Sequence, residues 1–170
     1  MPGSERELAT VVLPTPVGSV GVTASARGLH RVTLPAHGAP APGAGSPAAA
    51  AVVSDAARQL EQYLDGSRTS FELELDWNGV HERHRRVLEL LVTSAPFGRT
   101  ITYGELGRLA GEPDPREVGS MMARNPLPLV VPCHRVVASD GLGGYGGGIE
   151  LKRRLLELEG VLPPQLPLAS

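Results

Sequence analysis

The sequence predicts a small α/β domain followed by a mainly helical one carrying a helix-turn-helix. Three observations lead there. Short β-branched runs broken by Pro and Gly fill the first third. From about residue 80 the apolar spacing becomes helical. Two short segments with strong N-terminal caps then follow one another across a tight turn.

In order, LATVVL (8–13), VGSVGVTA (17–24) and GLHRVTL (28–34) read as strands, separated by Pro14, Pro16, Gly18 and Gly28. Residues 35–51, rich in Pro, Ala and Gly, read as a flexible loop. Ser54 offers an N-cap, Ala56, Leu60, Tyr63 and Leu64 follow at helical spacing, and Gly66 ends that helix. FELELDW (71–77) alternates, which predicts a strand with Phe71, Leu73, Leu75 and Trp77 on one face. Residues 1–78 thus form the first expected domain, 79–165 the second and 166–170 a tail.

In the second domain His84, Val87, Leu88, Leu91 and Val92 make one helical stripe, ended by Pro96 and Gly98. Thr102 and Glu105 form a capping box for a helix ending at Gly111. Asp114, Pro115 and Glu117 supply the N-cap, N1 proline and N3 acid of the next, which stops by Asn125-Pro126. This pair fits a helix-turn-helix, or simply two packed helices; its second helix carries Arg116 and Arg124. LPLVVPCHRVV reads as extended, DGLGGYGGG as a glycine loop and 149–159 as a last helix, with Glu150 paired to Arg154. Leu151, Leu155 and Glu159 share one face, so Glu159 is either a buried acid needing a donor or an exposed helix end.

The 170 residues carry a net charge of −2. Residues 1–78 hold 5 Lys+Arg against 8 Asp+Glu, and 79–170 hold 11 against 10. Any DNA-binding surface is therefore a local patch. No apolar run reaches transmembrane length, and the N-terminus has no signal-peptide pattern. A single cysteine excludes an internal disulfide and a multi-thiolate metal site, and points to a reducing cytoplasm.

That cysteine, Cys133, lies between Pro132 and His134, with Arg135 next. Thiolate is the nucleophile, and an adjacent base oriented by a third group is the usual means of forming it. His134 and Glu159 are the candidates. Neighbours on a strand point to opposite faces, so a bend or a water must connect His134 to Cys133. Pro132 removes a ladder N–H, which places the strand at an edge or makes it irregular. GLGGYG (141–146) fits a dinucleotide fingerprint but lacks the βαβ context, and a tight loop with Tyr145 as its one large side chain fits better.

VPCHRVV, with RNPLPLV before it and GGYGGG…K and L-x-x-E-G after it, resembles the methylated-DNA–protein-cysteine methyltransferases, which repair O6-alkylguanine. The resemblance is strong over about 80–160 and covers 8–77 in broad pattern. It implies an RNase H-like sheet in the first domain and a winged-helix-like second domain. It also implies that the alkylated guanine is flipped out of duplex DNA and its alkyl group moved irreversibly to Cys133, once per protein. His134 is then the base, acting through a water, and Glu159 its orienter. Asn125 braces the turn ahead of the cysteine. Tyr103 aids phosphate rotation and donates a proton to the leaving guanine. Arg116 fills the gap left by the flipped base, and Arg124 contacts DNA. Met122, Val136, Tyr145 and Gly146 line the base pocket, and Arg135 and Pro132 are structural neighbours of the site. The partner implied is double-stranded DNA with O6-alkylguanine or O4-alkylthymine. No cofactor or metal is implied, and the chain is expected to be a monomer. Glu117, Ser120 and Met121 depart from the small residues usual on the DNA-facing helix. Some relatives bind zinc through N-terminal cysteines, and no cysteine precedes 133. Two readings of the residues remain open: a cysteine hydrolase, and a transcriptional regulator with an inert cysteine.

Overall fold

The computed structural model describes residues 7–164, so the tail expected at 166–170 lies outside it. Strands β1 (Ala9–Thr15), β2 (Gly18–Ser25) and β3 (Gly28–Thr33) form an antiparallel meander in that order. Helix α1 (Pro47–Leu64) packs on it, placing Val53, Ala56, Leu60 and Tyr63 against Val20, Val22 and Ala24. The helical half comprises α2 (Glu82–Ser94), α3 (Tyr103–Ala110), α4 (Pro115–Ala123) and α5 (Ile149–Leu158). Two short strands, β4 (Ile101–Thr102) and β5 (Val136–Val137), pair in parallel within it.

The structure corrects several expectations. Residues 35–51 are not a free loop. Pro35–His37 form a 3-10 turn, Gly43 pairs with Thr10 and Pro40 covers Gly21. Helix α1 starts at Pro47, capped by the Ser46 hydroxyl, and Ser54 lies inside it. The alanine run after Pro47 favours helix strongly enough to extend it by two turns. Residues 71–77 face as expected but form only one rung, at Leu29 and Leu75. The Gln59 side chain replaces the ladder, accepting from Glu72 N and donating to Glu72 O. Val92 is 42% exposed rather than part of the buried stripe. Arg154 donates to the Pro16 carbonyl instead of pairing with Glu150.

The extended reading of 127–137 holds only at β5. Asn125 staples a turn, accepting from Leu127 N and donating to Val131 O, and Leu129 takes a left-handed conformation at φ 74°. Cys133–Arg135 then form a 3-10 turn.

The helix-turn-helix forms as its caps predict. Thr102 accepts from Glu105 N, Gly111 is left-handed, and Asp114 accepts from Arg116 N. Its turn is locked by a bidentate pair of Arg83 on α2 with buried Glu112. Gly107 lets the turn close, because a Cβ there would lie 2.4 Å from the Glu112 carbonyl oxygen. Gly107→Ala is therefore expected to cost about 2 kcal/mol by overpacking, read as a lower urea midpoint at unchanged slope.

Candidate active site around Cys133

Pairing of Ile101 with Val136 brings the start of α3 beside the cysteine turn. Successive side chains of a 3-10 turn diverge by about a third of a revolution. Cys133 accordingly faces a cavity, while His134 and Arg135 point into the core. Cys133 is 6% exposed.

The core side closes on Glu159, the C-cap residue of α5, which is buried. Its Oε2 receives His134 Nε2 at 2.6 Å, Tyr63 Oη at 2.5 Å and Arg135 Nη2 at 3.0 Å. Its Oε1 receives Arg135 Nε at 2.7 Å and Gly98 N at 3.3 Å. Burial would raise this carboxyl, but the hydrogen bonds from His134 and Arg135 outweigh it and hold it at about 2. Arg135 also donates to Ala95 O and lies over the Phe97 ring. Burial pushes the His134 imidazole below its ordinary value, against the pull of Glu159, so it is neutral at pH 7. With Nε2 donating to Glu159, the free lone pair lies on Nδ1, which has no partner among the described residues.

The cavity side holds about 560 Å³, lined by Tyr103, Arg116, Gly119, Met122, Tyr145 and Gly146 around Cys133. Burial raises the Cys133 thiol, against the lowering pull of Asn125 and Lys152. Tyr103 is the first residue of α3; its hydroxyl donates to Gly144 O at 3.3 Å, and burial raises it. Arg116 is the second residue of α4, with a side chain 94% exposed. A second cleft of about 280 Å³ reaches Cys133 from the β3 side, between Arg31, His37 and Arg124.

Not every expected residue lines the cavity. Val136 is buried in the β4–β5 pair and its carbonyl receives Lys152, so it lines neither space. Arg124 lies on the rim of the second cleft. Pro132 is the buried N-cap of the cysteine turn. Met121 is 2% exposed and belongs to the core rather than to the outer face of α4. Glu117 leans toward Arg83 at 3.7 Å, and Ser120 is exposed.

Sequence reasoning missed two polar residues. In the sequence Tyr63 belongs to an apolar helical stripe, although a buried tyrosine hydroxyl needs a partner. Lys152 is fully buried, with Nζ donating to the carbonyls of Val136, Leu142 and Gly144. Burial lowers it to about 8, against the pull of Cys133.

A thiol is thus set beside a helix-turn-helix and backed by an imidazole and a carboxylate, which defines a protein with a candidate nucleophilic cysteine. Residues 10–77 match the 6-O-methylguanine DNA methyltransferase ribonuclease-like domain, and 82–161 match the DNA binding domain of the same family. The methylated-DNA–protein-cysteine methyltransferase of Methanothermobacter thermautotrophicus is 51% identical over 104 residues, 60% of this chain and 58% of that protein. The match thus spans little more than half the length of that relative. The Methanopyrus kandleri protein of that name is 46% identical over 72% of this chain and 93% of its own. The Mycobacterium tuberculosis OGT structure in complex with DNA superposes with a TM-score of 0.74 at 34% identity, covering 87% of this chain and 90% of that one. The chain belongs to the methylated-DNA–protein-cysteine methyltransferase family, with its small-sheet N-terminal domain and helical C-terminal domain.

Glu159 ionises below the ordinary glutamate value, so its contribution is complete above about pH 4.5 and disappears as pH falls through about 2. Glu159→Gln should lower stability by about 3 kcal/mol at pH 7, and the deficit should shrink between those limits. Urea unfolding at a series of pH values checks this.

Proposed function

We propose that this chain repairs alkylated DNA by direct reversal, moving one alkyl group from O6 of guanine to Cys133. The observation that carries the reading is Cys133 on the wall of a cavity shared with both helices of the helix-turn-helix, with the His134–Glu159 pair behind it. The O6 atom of a stacked guanine cannot be approached in line, so the base must enter this cavity flipped.

The residues support a division of work. The raised thiol of Cys133 needs a base, and His134 is neutral with its free lone pair on Nδ1. His134 takes the thiol proton through a water, with Glu159 fixing its tautomer. Sulfur attacks the alkyl carbon, the S–C bond forms and the C–O6 bond breaks. The departing guanine takes a proton from Tyr103, whose raised value keeps it protonated. Asn125 braces the turn that presents the sulfur. Met122, Tyr145 and Gly146 enclose the base, and Arg116 occupies the space it vacates. Arg124 meets the backbone beside it.

The thioether cannot be hydrolysed back and no second thiol exists, so each molecule acts once, without a cofactor. The reading extends to O4-alkylthymine, a monomeric state and a cytoplasmic site of action, where a lone thiol stays reduced. It includes an RNase H-like sheet within 1–78 and a winged-helix-like arrangement within 79–165. Among the described residues no helix is long and apolar enough to cross a membrane.

Incubation with duplex DNA carrying O6-methylguanine should raise the intact mass by one methylene, saturating at one event per protein. Cys133→Ala should show no gain. A gain in that variant, or repeated turnover, would reject the proposal. Arg116→Ala should slow transfer from duplex DNA about tenfold or more while leaving transfer from free O6-benzylguanine base unchanged. Parallel loss on both substrates would remove Arg116 from the flipping role.

A further inference from the structure

Tyr63 belongs to α1, in the N-terminal half, yet its hydroxyl lies inside the polar cluster behind the cysteine. It donates to Glu159 Oε2 at 2.5 Å and stands 3.3 Å from His134 Nε2. The residue is fully buried, and burial foremost raises its hydroxyl, so it remains a donor throughout the working pH range. Its ring is held by Phe71 at 5.5 Å and by Phe97, edge-on, at 6.4 Å. Phe71 comes from the N-terminal half and Phe97 from the loop after α2. The hydroxyl is therefore aimed by packing from both halves.

We propose that Tyr63 is a positioning residue for alkyl transfer, its hydroxyl holding the Glu159 carboxylate against His134 and limiting how strongly that carboxylate draws the imidazole proton. This rests on the transfer reading above. Three donors converge on Oε2: the Tyr63 hydroxyl, His134 Nε2 and Arg135 Nη2. Each shares the negative charge of that oxygen. With Tyr63 present, His134 keeps its proton on Nε2 and stays a neutral base at Nδ1. Without Tyr63, more of the charge falls on His134 and favours the imidazolium, which cannot accept the thiol proton. The groups facing this imidazole are Glu159, Arg135 and Tyr63, with Lys152 beyond. The small-sheet half thereby enters the chemistry instead of only stabilising the fold.

Tyr63→Phe removes the hydroxyl and keeps the ring contacts. The full-length variant and the wild type are compared in transfer from free O6-benzylguanine across pH 5–9, with the His134 ring titration followed by nitrogen NMR. The acidic limb of the rate profile and the His134 titration should both move up by about one pH unit, the scale of one hydrogen bond to a charged group. Transfer would then fall most at the acidic end and least at the alkaline end. A limb that stays in place, or a uniform slowing at all pH values, would mean that Tyr63 only packs and would overturn the proposal. Should the wild type transfer nothing, the functional reading fails. The ring titration then decides on Tyr63: an upward move upholds the clamp and an unchanged value rejects it.

Discussion

The structure turns on one buried carboxylate. Glu159 accepts five hydrogen bonds, from Tyr63, His134, two nitrogens of Arg135, and Gly98 N. A carboxylate has about four lone-pair sites, so it is saturated. Its donors come from α1, the loop after α2 and the cysteine turn, while the acid itself ends α5. Segments far apart in sequence are thus fixed relative to one atom pair. A buried charge so placed is costly unless paired, and the bidentate Arg135 supplies that pairing.

This anchor explains how adjacent residues serve different compartments. On a strand, Cys133 and His134 would point to opposite faces of one sheet. The 3-10 turn instead sends the thiol to the cavity and the imidazole to the core. Three constraints impose the turn. Pro132 carries no N–H, Asn125 closes the preceding loop with both ends of its amide, and β5 pairs with β4 immediately afterwards. The irregular backbone, including left-handed Leu129, is sustained by these contacts around it.

The legible parts of the fold were those set by local chemistry. Thr102, Asp114 and Gly111 cap their helices with groups at most four residues away. The three strands of the meander need only turns between them. Elsewhere, distant side chains decided. Gln59 takes the hydrogen bonds that would have made 71–77 a strand, and Pro40 on Gly21 turns a loop into a cover for the sheet. The site divides in the same way. The stripe of α5 leaves Glu159 open between a buried acid and an exposed helix end, and the valine-rich run only singles out Cys133 and His134; the family resemblance is what joins the three. The roles of Tyr63 and Lys152 were not legible, since an aromatic in a stripe and the lysine of the glycine-loop motif gain partners only through the fold. The motif names what must react, and the fold supplies what holds it in place.

The two buried cations of the site show how charge is apportioned around the turn. Arg135 is matched by Glu159, so with His134 neutral the core side is close to neutral. Among the described residues Lys152 donates only to carbonyl oxygens, those of Val136, Leu142 and Gly144, and lies over the Tyr103 ring. Its charge is solvated by dipoles rather than cancelled, and burial therefore lowers it. The uncancelled field reaches the Cys133 thiol and favours its anionic form. Lys152 also bonds the carbonyl of Gly144, which receives the Tyr103 hydroxyl as well. One cation thus biases the sulfur and fixes the glycine loop beside the cavity, while the matched pair lies on the other side of the turn.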